Sequence, residues 1–374
     1  MPEIEYSNSK ALYHTDKIKA LQQGKMIAPT EIQLDLEAWC NDNCSFCSYR
    51  KEDGYNNSML PLIGAKPGEE YHEEKPIGKP SEASRMPSTF AESIPKQMVE
   101  AGIKAVEITG GGEPTLWPAF DTLLENLGIA EREIGLVTNG SRLDDKRIAL
   151  ICKYCTWVRI SMDSSNAATH QLIHRTANYD FERRLENIKK IATNKRSDLV
   201  LGISFIVTPD NYNDIEQSAR LYALIPGVNH IRFSWMYDRE GKSGLTELQI
   251  DVTRNLLDIL QDELNRDDFK IFYESDRIDL YSRPNTDFKT CYFQRFVWAI
   301  GADCNVYPCC IMKYHPDYAN GNLKEKTLLE LIQDMNVKAK MDKLDVNACF
   351  PCWLRHRNQS IASAVDKPIH HNFI

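Results

Sequence analysis

The spacing of three cysteines constrains this chain more than any other feature. Cys40, Cys44 and Cys47 form a C-x3-C-x2-C triplet, so one short loop supplies three thiolates. A four-iron cube ordinarily takes four protein ligands, and three cysteines leave one iron open to a ligand from outside the protein. That is the layout of a reactive cluster. The competing readings are a chance grouping or a zinc site, but zinc knuckles and fingers favour C-x2-C pairs matched by a second pair. The preceding run, residues 31–36, alternates polar and apolar side chains and reads as a strand. The triplet therefore sits in the loop after a strand, on the functional face of an α/β architecture.

Residues 104–109 read as a buried strand and run directly into Gly110-Gly111-Gly112-Glu113-Pro114-Thr115. Glycines let the backbone approach a ligand closely and take up positive φ. A carboxylate among them can accept hydrogen bonds from a ligand ammonium group. Taken alone, such a loop is most often a tight turn. Strand-like runs recur at 134–138, 157–162, 200–207 and 230–236, with helical stretches at 89–101, 144–154, 181–194 and 213–224. This alternation implies a parallel sheet with right-handed crossovers.

With Phe46 in the aromatic position of a C-x3-C-x-aromatic-C loop, and Gly111-Gly112-Glu113-Pro114 after the second strand, the sequence resembles the radical S-adenosylmethionine (SAM) superfamily. The resemblance implies an α/β fold, an open partial (β/α)6 barrel, over residues 30–240, with an N-terminal extension at 1–29. It implies that Cys40, Cys44 and Cys47 hold a 4Fe-4S cluster whose open iron is chelated by the amino and carboxylate groups of SAM. An electron from that cluster would cleave a carbon–sulfur bond to give a 5'-deoxyadenosyl radical, which takes a hydrogen atom from the substrate. Phe46, Gly111, Gly112 and Glu113 then belong to the SAM site, with the glycine loop and the Glu holding the methionyl amine. Asn139 and Ser161 close the third and fourth strands, where relatives use such residues on the SAM ribose or carboxylate. Arg175, in the following loop, is a candidate partner of the SAM carboxylate. The plain alternative for these three is a turn-capping or surface residue. For Gly202 on the fifth strand, a candidate for close approach of the adenine, it is an ordinary strand glycine.

The last third carries a second cysteine set. Cys291 precedes the apolar run 296–300, and residues 301–310 read as the turn and return strand of a hairpin containing Cys304, Cys309 and Cys310. Cys349 and Cys352 follow a helix near 323–335. Two distant cysteines plus a C-x2-C pair make four soft ligands, which suits zinc on spacing alone. Beside the N-terminal motifs, residues 291–374 resemble the SPASM/twitch extensions of the same superfamily. The C-x2-C-x5-C-x3-C run of a full SPASM domain is missing, so the resemblance is to the shorter form with one auxiliary 4Fe-4S cluster. In that register Cys291, Cys309, Cys349 and Cys352 are the ligands. Cys304, where relatives have a turn glycine, and Cys310 stand as substitutes for Cys309 or as extra thiols. Cys152 and Cys155 lie at a helix end and read as buried structural residues. Residues 241–290 read as a connecting helix and strand.

Eleven cysteines and an N-terminus without an apolar signal segment belong in a reducing compartment, so a cytoplasmic protein is expected. No run approaches the length of a membrane span. The formal charge of -8 argues against a surface for folded nucleic acid, whose footprint is basic. Residues 52–87, rich in Gly, Pro, Glu and Lys, read as a solvated insertion, with a lid over the active site as the alternative.

Together the two sites lead us to expect oxidation, epimerisation or rearrangement of a polar small molecule: an amino sugar, a cyclitol, a nucleotide conjugate or an amino acid. The auxiliary cluster, complete in thiolates, is expected to relay an electron, and the resemblance implies a donor such as flavodoxin or ferredoxin. Arg232, Tyr237, Asp238 and Arg239 are candidate substrate contacts, and no catalytic base is assigned. Two rivals stay open. A ribosomal-peptide maturase would share every cysteine motif, although the roughly thirty residues before the first strand leave no room for the winged-helix leader-binding domain that many such enzymes carry. A non-catalytic iron–sulfur or zinc scaffold has no use for the Gly111-Gly112-Glu113 loop.

Overall fold

The structure, a computed structural model, describes residues 6–49, 81–176, 179–236, 242–273, 278–279, 288–349 and 352–366. One sheet organises them. Its strands are β1 (Glu31–Asp35), β2 (Ala105–Thr109), β3 (Glu133–Thr138), β4 (Trp157–Ser161), β5 (Val200–Val207), β6 (His230–Trp235), β7 (Lys270–Phe272), β8 (Val297–Ile300), β9 (Asn305–Tyr307) and β10 (Gly321–Asn322). The spatial order is β10-β9-β8-β1-β2-β3-β4-β5-β6-β7. From β1 to β7 every neighbouring pair is parallel. The order ends at β7 and β10 without closing, which is the open α/β barrel that the alternation of elements predicts.

Each parallel strand hands the chain to a helix that returns across the outer face. These helices are α2 (Phe90–Glu100), α3 (Phe120–Ile129), α4 (Asp145–Tyr154), α5 (Ala167–His174), α6 (Asp180–Asn194), α7 (Ile215–Ala223) and α8 (Glu247–Leu264), with α1 (Thr15–Gln22) ahead of β1. Period-two alternation decides which strand residues meet them. On β1, Ile32 and Leu34 are wholly buried in the main core with Ile94, Val106 and Ile108. Gln33, between them, points to the concave face and donates from Nε2 to Glu107 Oε2 at 3.0 Å. Apolar outside and polar inside is what a barrel that receives a polar guest requires.

Four features differ from the sequence reading. A seventh parallel strand, β7, extends the sheet beyond the six units expected. The cysteine-bearing hairpin is also part of that sheet, because β8 pairs in parallel with β1. Trp298 and Ile300 on β8 are fully buried. Burying such side chains contributes roughly 1.5–3 kcal/mol each, enough to make the hairpin an extension of the barrel wall.

The third difference lies at the end of the proposed insertion. Residues 52–80 lie outside the described residues, but 81–87 are tied to the core through buried Ser84 and Met86. Ala38 N donates to Ser84 O, Met86 N to Leu36 O, and Trp117 Nε1 to Met86 O at 2.6 Å. Finally, the helix expected at 323–335 is two short helices, Leu328–Gln333 and Met335–Asp342. Thr327 and Glu330 form a capping box that starts the first, and Asp334 caps the second, so the chain turns between them. No helix among the described residues is long and apolar enough to cross a membrane.

Candidate active site

The loop after β1 begins with a buried clamp. Glu37 accepts from Ser84 Oγ (2.8 Å) and from Trp39 N (3.1 Å), and pairs with Arg85 Nε at 3.0 Å. The chain then turns across the C-terminal ends of the strands, where Cys40, Cys44 and Cys47 are half-buried and outside any disulfide. Backbone bonds hold its far side to the end of α5, with Asn43 N on His174 O and Ser45 N on Ile173 O. Phe46 meets the His174 ring edge to face at 6.3 Å.

The glycine loop is pressed against this one. Gly112 N donates to Glu37 O and Glu113 N to Trp39 O. A Cβ on Gly112 would lie 2.1 Å from Trp39 O, and one on Gly110 would lie 1.9 Å from Gly112 O. Only glycine allows this approach. Glu113 itself is buried and takes four donors: Thr115 N (3.1 Å), Thr115 Oγ1 (2.6 Å) and Thr138 Oγ1 (2.5 Å) on Oε1, and Asn139 N (2.8 Å) on Oε2. Burial nevertheless pushes its carboxyl up from the ordinary value. Asn139 links the same strand end to the cysteine loop, donating from Nδ2 to Asn41 Oδ1 at 3.1 Å.

These elements enclose one cavity of about 280 Å³. Cys40, Cys44, Cys47, Phe46, Gly111, Gly112, Glu113, Asn139 and Ser161 all line it, together with Thr109, Val137, Ile206 and Trp235. Arg175 stands outside its wall, ending α5 in a left-handed turn (φ 52°). Gly202 is packed instead against His230, whose Nε2 a Cβ would approach to 2.1 Å. Tyr237, Asp238 and Arg239 lie outside the described residues. Arg232 sits on β6 with its guanidinium 4.8 Å from the Tyr6 ring, low in the barrel.

Behind the cysteine loop lies a charged group that the sequence reading missed. Arg184 on α6 reaches Asp42 in two bonds, 2.7 and 2.8 Å, and also pairs with Asp180. His174 places Nδ1 3.3 Å from Cys44 Sγ and Nε2 3.1 Å from Asp163 Oδ2. Burial works against its charge, but Cys44, Asp163 and Asp42 hold its proton well above the usual range. His170 stacks on it at 4.3 Å, and burial and that neighbour pull its own pKa down to about 4. The i, i+4 spacing of His170 and His174 was the available signal.

The second cysteine set also converges. Cys291, Cys309, Cys310 and Cys352 border one apolar cluster with Phe293, Phe296 and Ile311. Burial first, then Cys310, Cys291, Cys352 and Cys349, push the Cys309 thiol well up. Burial and then Cys291 push the Cys349 thiol up to about 12. Burial pushes the Cys310 thiol up to about 11, and the charge of Lys313 works against that rise. Cys304 is elsewhere: it occupies the hairpin turn at φ 68°, fully buried, with Sγ 3.9 Å from Ala302 O. Cys152 and Cys155 are buried in the core, in keeping with a structural reading. Both thiol sets have the soft donors that iron–sulfur clusters require. The first offers three thiols beside a cavity. The second offers its thiols in an apolar pocket.

The chain matches the radical SAM superfamily over residues 38–222 and an iron–sulfur cluster-binding SPASM domain over residues 291–353. It belongs to the radical SAM superfamily and carries a C-terminal SPASM-type domain, so its cofactors are SAM, a SAM-binding 4Fe-4S cluster and an auxiliary cluster. Among curated proteins it is 27% identical over 194 residues to an S-adenosylmethionine-dependent nucleotide dehydratase of Flammeovirga pacifica, covering 52% of this chain and 59% of that one. It is 25% identical over 170 residues to the nucleotide dehydratase RSAD2 of Siniperca chuatsi, covering 44% and 39%. The matched region thus spans less than two thirds of either relative. Among solved structures, Streptococcus suis SuiB bound to S-adenosylmethionine superposes with TM-score 0.62 at 16% identity, over 89% of this chain and 72% of that one. Native anSMEcpe with bound AdoMet gives 0.60 at 17%, over 92% and 100%. Both likenesses concern the fold.

Proposed function

We infer that this radical SAM enzyme oxidises or isomerises a polar small molecule, with a nucleotide conjugate as the first class to test. The observation that carries the reading is the single cavity shared by the three-thiol loop, the glycine loop and the ends of β3 and β4. In this superfamily the bound cluster and SAM together supply a 5'-deoxyadenosyl radical that takes a hydrogen atom from the substrate. The chain's own part is to hold the reactants. Cys40, Cys44 and Cys47 ligate the first cluster, and Gly111, Gly112 and the Glu113 loop position the methionyl amine. Asn139 and Ser161 reach the rest of SAM, and Phe46 closes the wall beside the cluster. Cys291, Cys309, Cys349 and Cys352 hold the auxiliary cluster. The names of the curated relatives favour a nucleotide among polar substrates. A flavodoxin or ferredoxin in the cytoplasm supplies electrons.

The test is anaerobic incubation of the reconstituted protein with SAM, dithionite and panels of nucleotides, nucleotide sugars and amino acids. 5'-Deoxyadenosine formation stimulated by one panel, with deuterium transferred from labelled substrate, supports the reading. Stimulation only by peptides would assign a maturase, and no 5'-deoxyadenosine under any condition would remove the radical function.

A further inference from the structure

Arg184 is a fixed cation with no exposure, on the sixth helix, and it faces the cluster loop. An arginine does not lose its proton in a protein, so its charge is permanent. Its principal partner, Asp42, lies between the ligands Cys40 and Cys44 and is itself only 2% exposed. The amide of Asp42 donates to Cys40 Sγ at 3.4 Å, so the residue that grips the arginine also touches a cluster thiol. Asp180 holds Arg184 from the other side. The guanidinium Nε and Nη1 groups have no hydrogen-bond partner among the described residues.

A buried ion pair is weak evidence for stability, because apolar residues of similar volume often serve as well. What the pair does supply is a fixed charge and a fixed geometry beside the loop. Cluster potentials respond to net charge, burial and hydrogen bonds to the sulfurs. Adding an electron to a cluster is favoured by a nearby positive charge and opposed by a negative one. We propose that Arg184 is a positioning residue that, through Asp42, fixes the cysteine loop and raises the reduction potential of the SAM-binding cluster. This rests on the assignment of Cys40, Cys44 and Cys47 as its ligands.

The experiment is an EPR-monitored potentiometric titration of the reconstituted protein carrying both clusters. The N-terminal cluster is recognised by the change that SAM causes in its signal. Arg184→Met, which keeps the volume and removes the charge, is expected to make that cluster about tenfold harder to reduce, a fall of 59 mV for one electron. Arg184→Lys should shift it less, and Asp42→Asn, which removes a negative charge, should shift it in the opposite direction. A mere loosening of the loop would not reverse sign between the two partners. An unchanged midpoint in Arg184→Met with full iron content, or both charge-removing variants shifting the same way, overturns the proposal. If Arg184→Met does not load the first cluster, Asp42→Asn and Arg184→Lys decide, and an unmoved or lowered midpoint in Asp42→Asn overturns it. Loss of a SAM-dependent signal from the unmodified protein would instead remove the ligand assignment.

Discussion

Glu113 accepts from two backbone amides and two hydroxyls, so its carboxylate ties the glycine loop to the end of β3 as well as lining the cavity. The proposed ligand ammonium would therefore be one partner among several. In Glu113→Gln the hydroxyls can rotate, but the side-chain NH2 is left facing an N–H of Thr115 or Asn139, and an unmatched buried donor costs about 1–3 kcal/mol. We expect SAM affinity to fall roughly ten- to a hundredfold with both clusters retained; equal affinity by calorimetry would take Glu113 out of the site. His230 gives a pH prediction. Burial, and then Arg159 and Arg232, pull its pKa down to about 3. Below the unfolded value near 6.5 the unfolded chain binds a proton that the native one refuses, so this contribution is complete above pH 6.5 and is lost as pH falls. Between pH 7.5 and 5.5 the loss is about 1.4 kcal/mol. The denaturation profile of His230→Gln should be flatter than the parent's by that amount, and parallel profiles would rule the effect out.

At the scale of elements, the join between barrel and hairpin rests on a buried pair as well as on the β1–β8 ladder. Lys313, beyond β9, bonds both oxygens of Asp35 at 2.7 Å, and Tyr314 Oη donates to Oδ2 at 2.8 Å. Both charged residues are almost without exposure. Removing one partner strands the other, so Lys313→Met should destabilise by about 3–5 kcal/mol, and Asp35→Leu combined with Lys313→Met should recover much of it. Chemical denaturation of the parent, the two single variants and the double variant measures this, and additive losses would mean that the pair is not coupled. Such long-range pairing explains what the sequence shows and what it hides. Strands β1 to β6 are legible because one face of each meets helices, which imposes alternation. Helix α5 is hidden because it is short and its purpose, presenting His174 to Cys44, joins residues 130 positions apart. Residues 81–87 look like insertion because they are short of apolar side chains and carry no periodicity, yet their order comes from hydrogen bonds to Leu36, Ala38 and Trp117 that no local pattern records. The cysteine loops are legible for the opposite reason: ligation chemistry imposes spacing directly on the sequence.

Taken as a whole, the molecule places two cysteine sites in one continuous sheet, and it should behave as a two-cluster protein. Anaerobic reconstitution should give about eight irons per chain as two four-iron cubes. Exchanging Cys40, Cys44 and Cys47 for Ala should remove about half of that iron and leave an EPR-active cluster; a parent with about four irons and an iron-free triple variant would eliminate the second site. The connection through β8 and β1 also keeps the two sites at a fixed separation, since the strands that carry them are hydrogen-bonded to each other. A fixed separation suits electron transfer. If Cys291, Cys309, Cys349 and Cys352 are all ligands, as proposed, the auxiliary cluster has no open position for substrate. In Cys349→Ala or Cys352→Ala, SAM cleavage should therefore continue while turnover to product falls sharply, because the substrate radical loses its electron partner. The quantity to measure is the ratio of 5'-deoxyadenosine to product, which should rise well above one in a variant whose folding matches the parent. Unchanged coupling would make the second cluster structural. Substrate bonded directly to an auxiliary iron, seen spectroscopically or in a complex, would end the conduit reading.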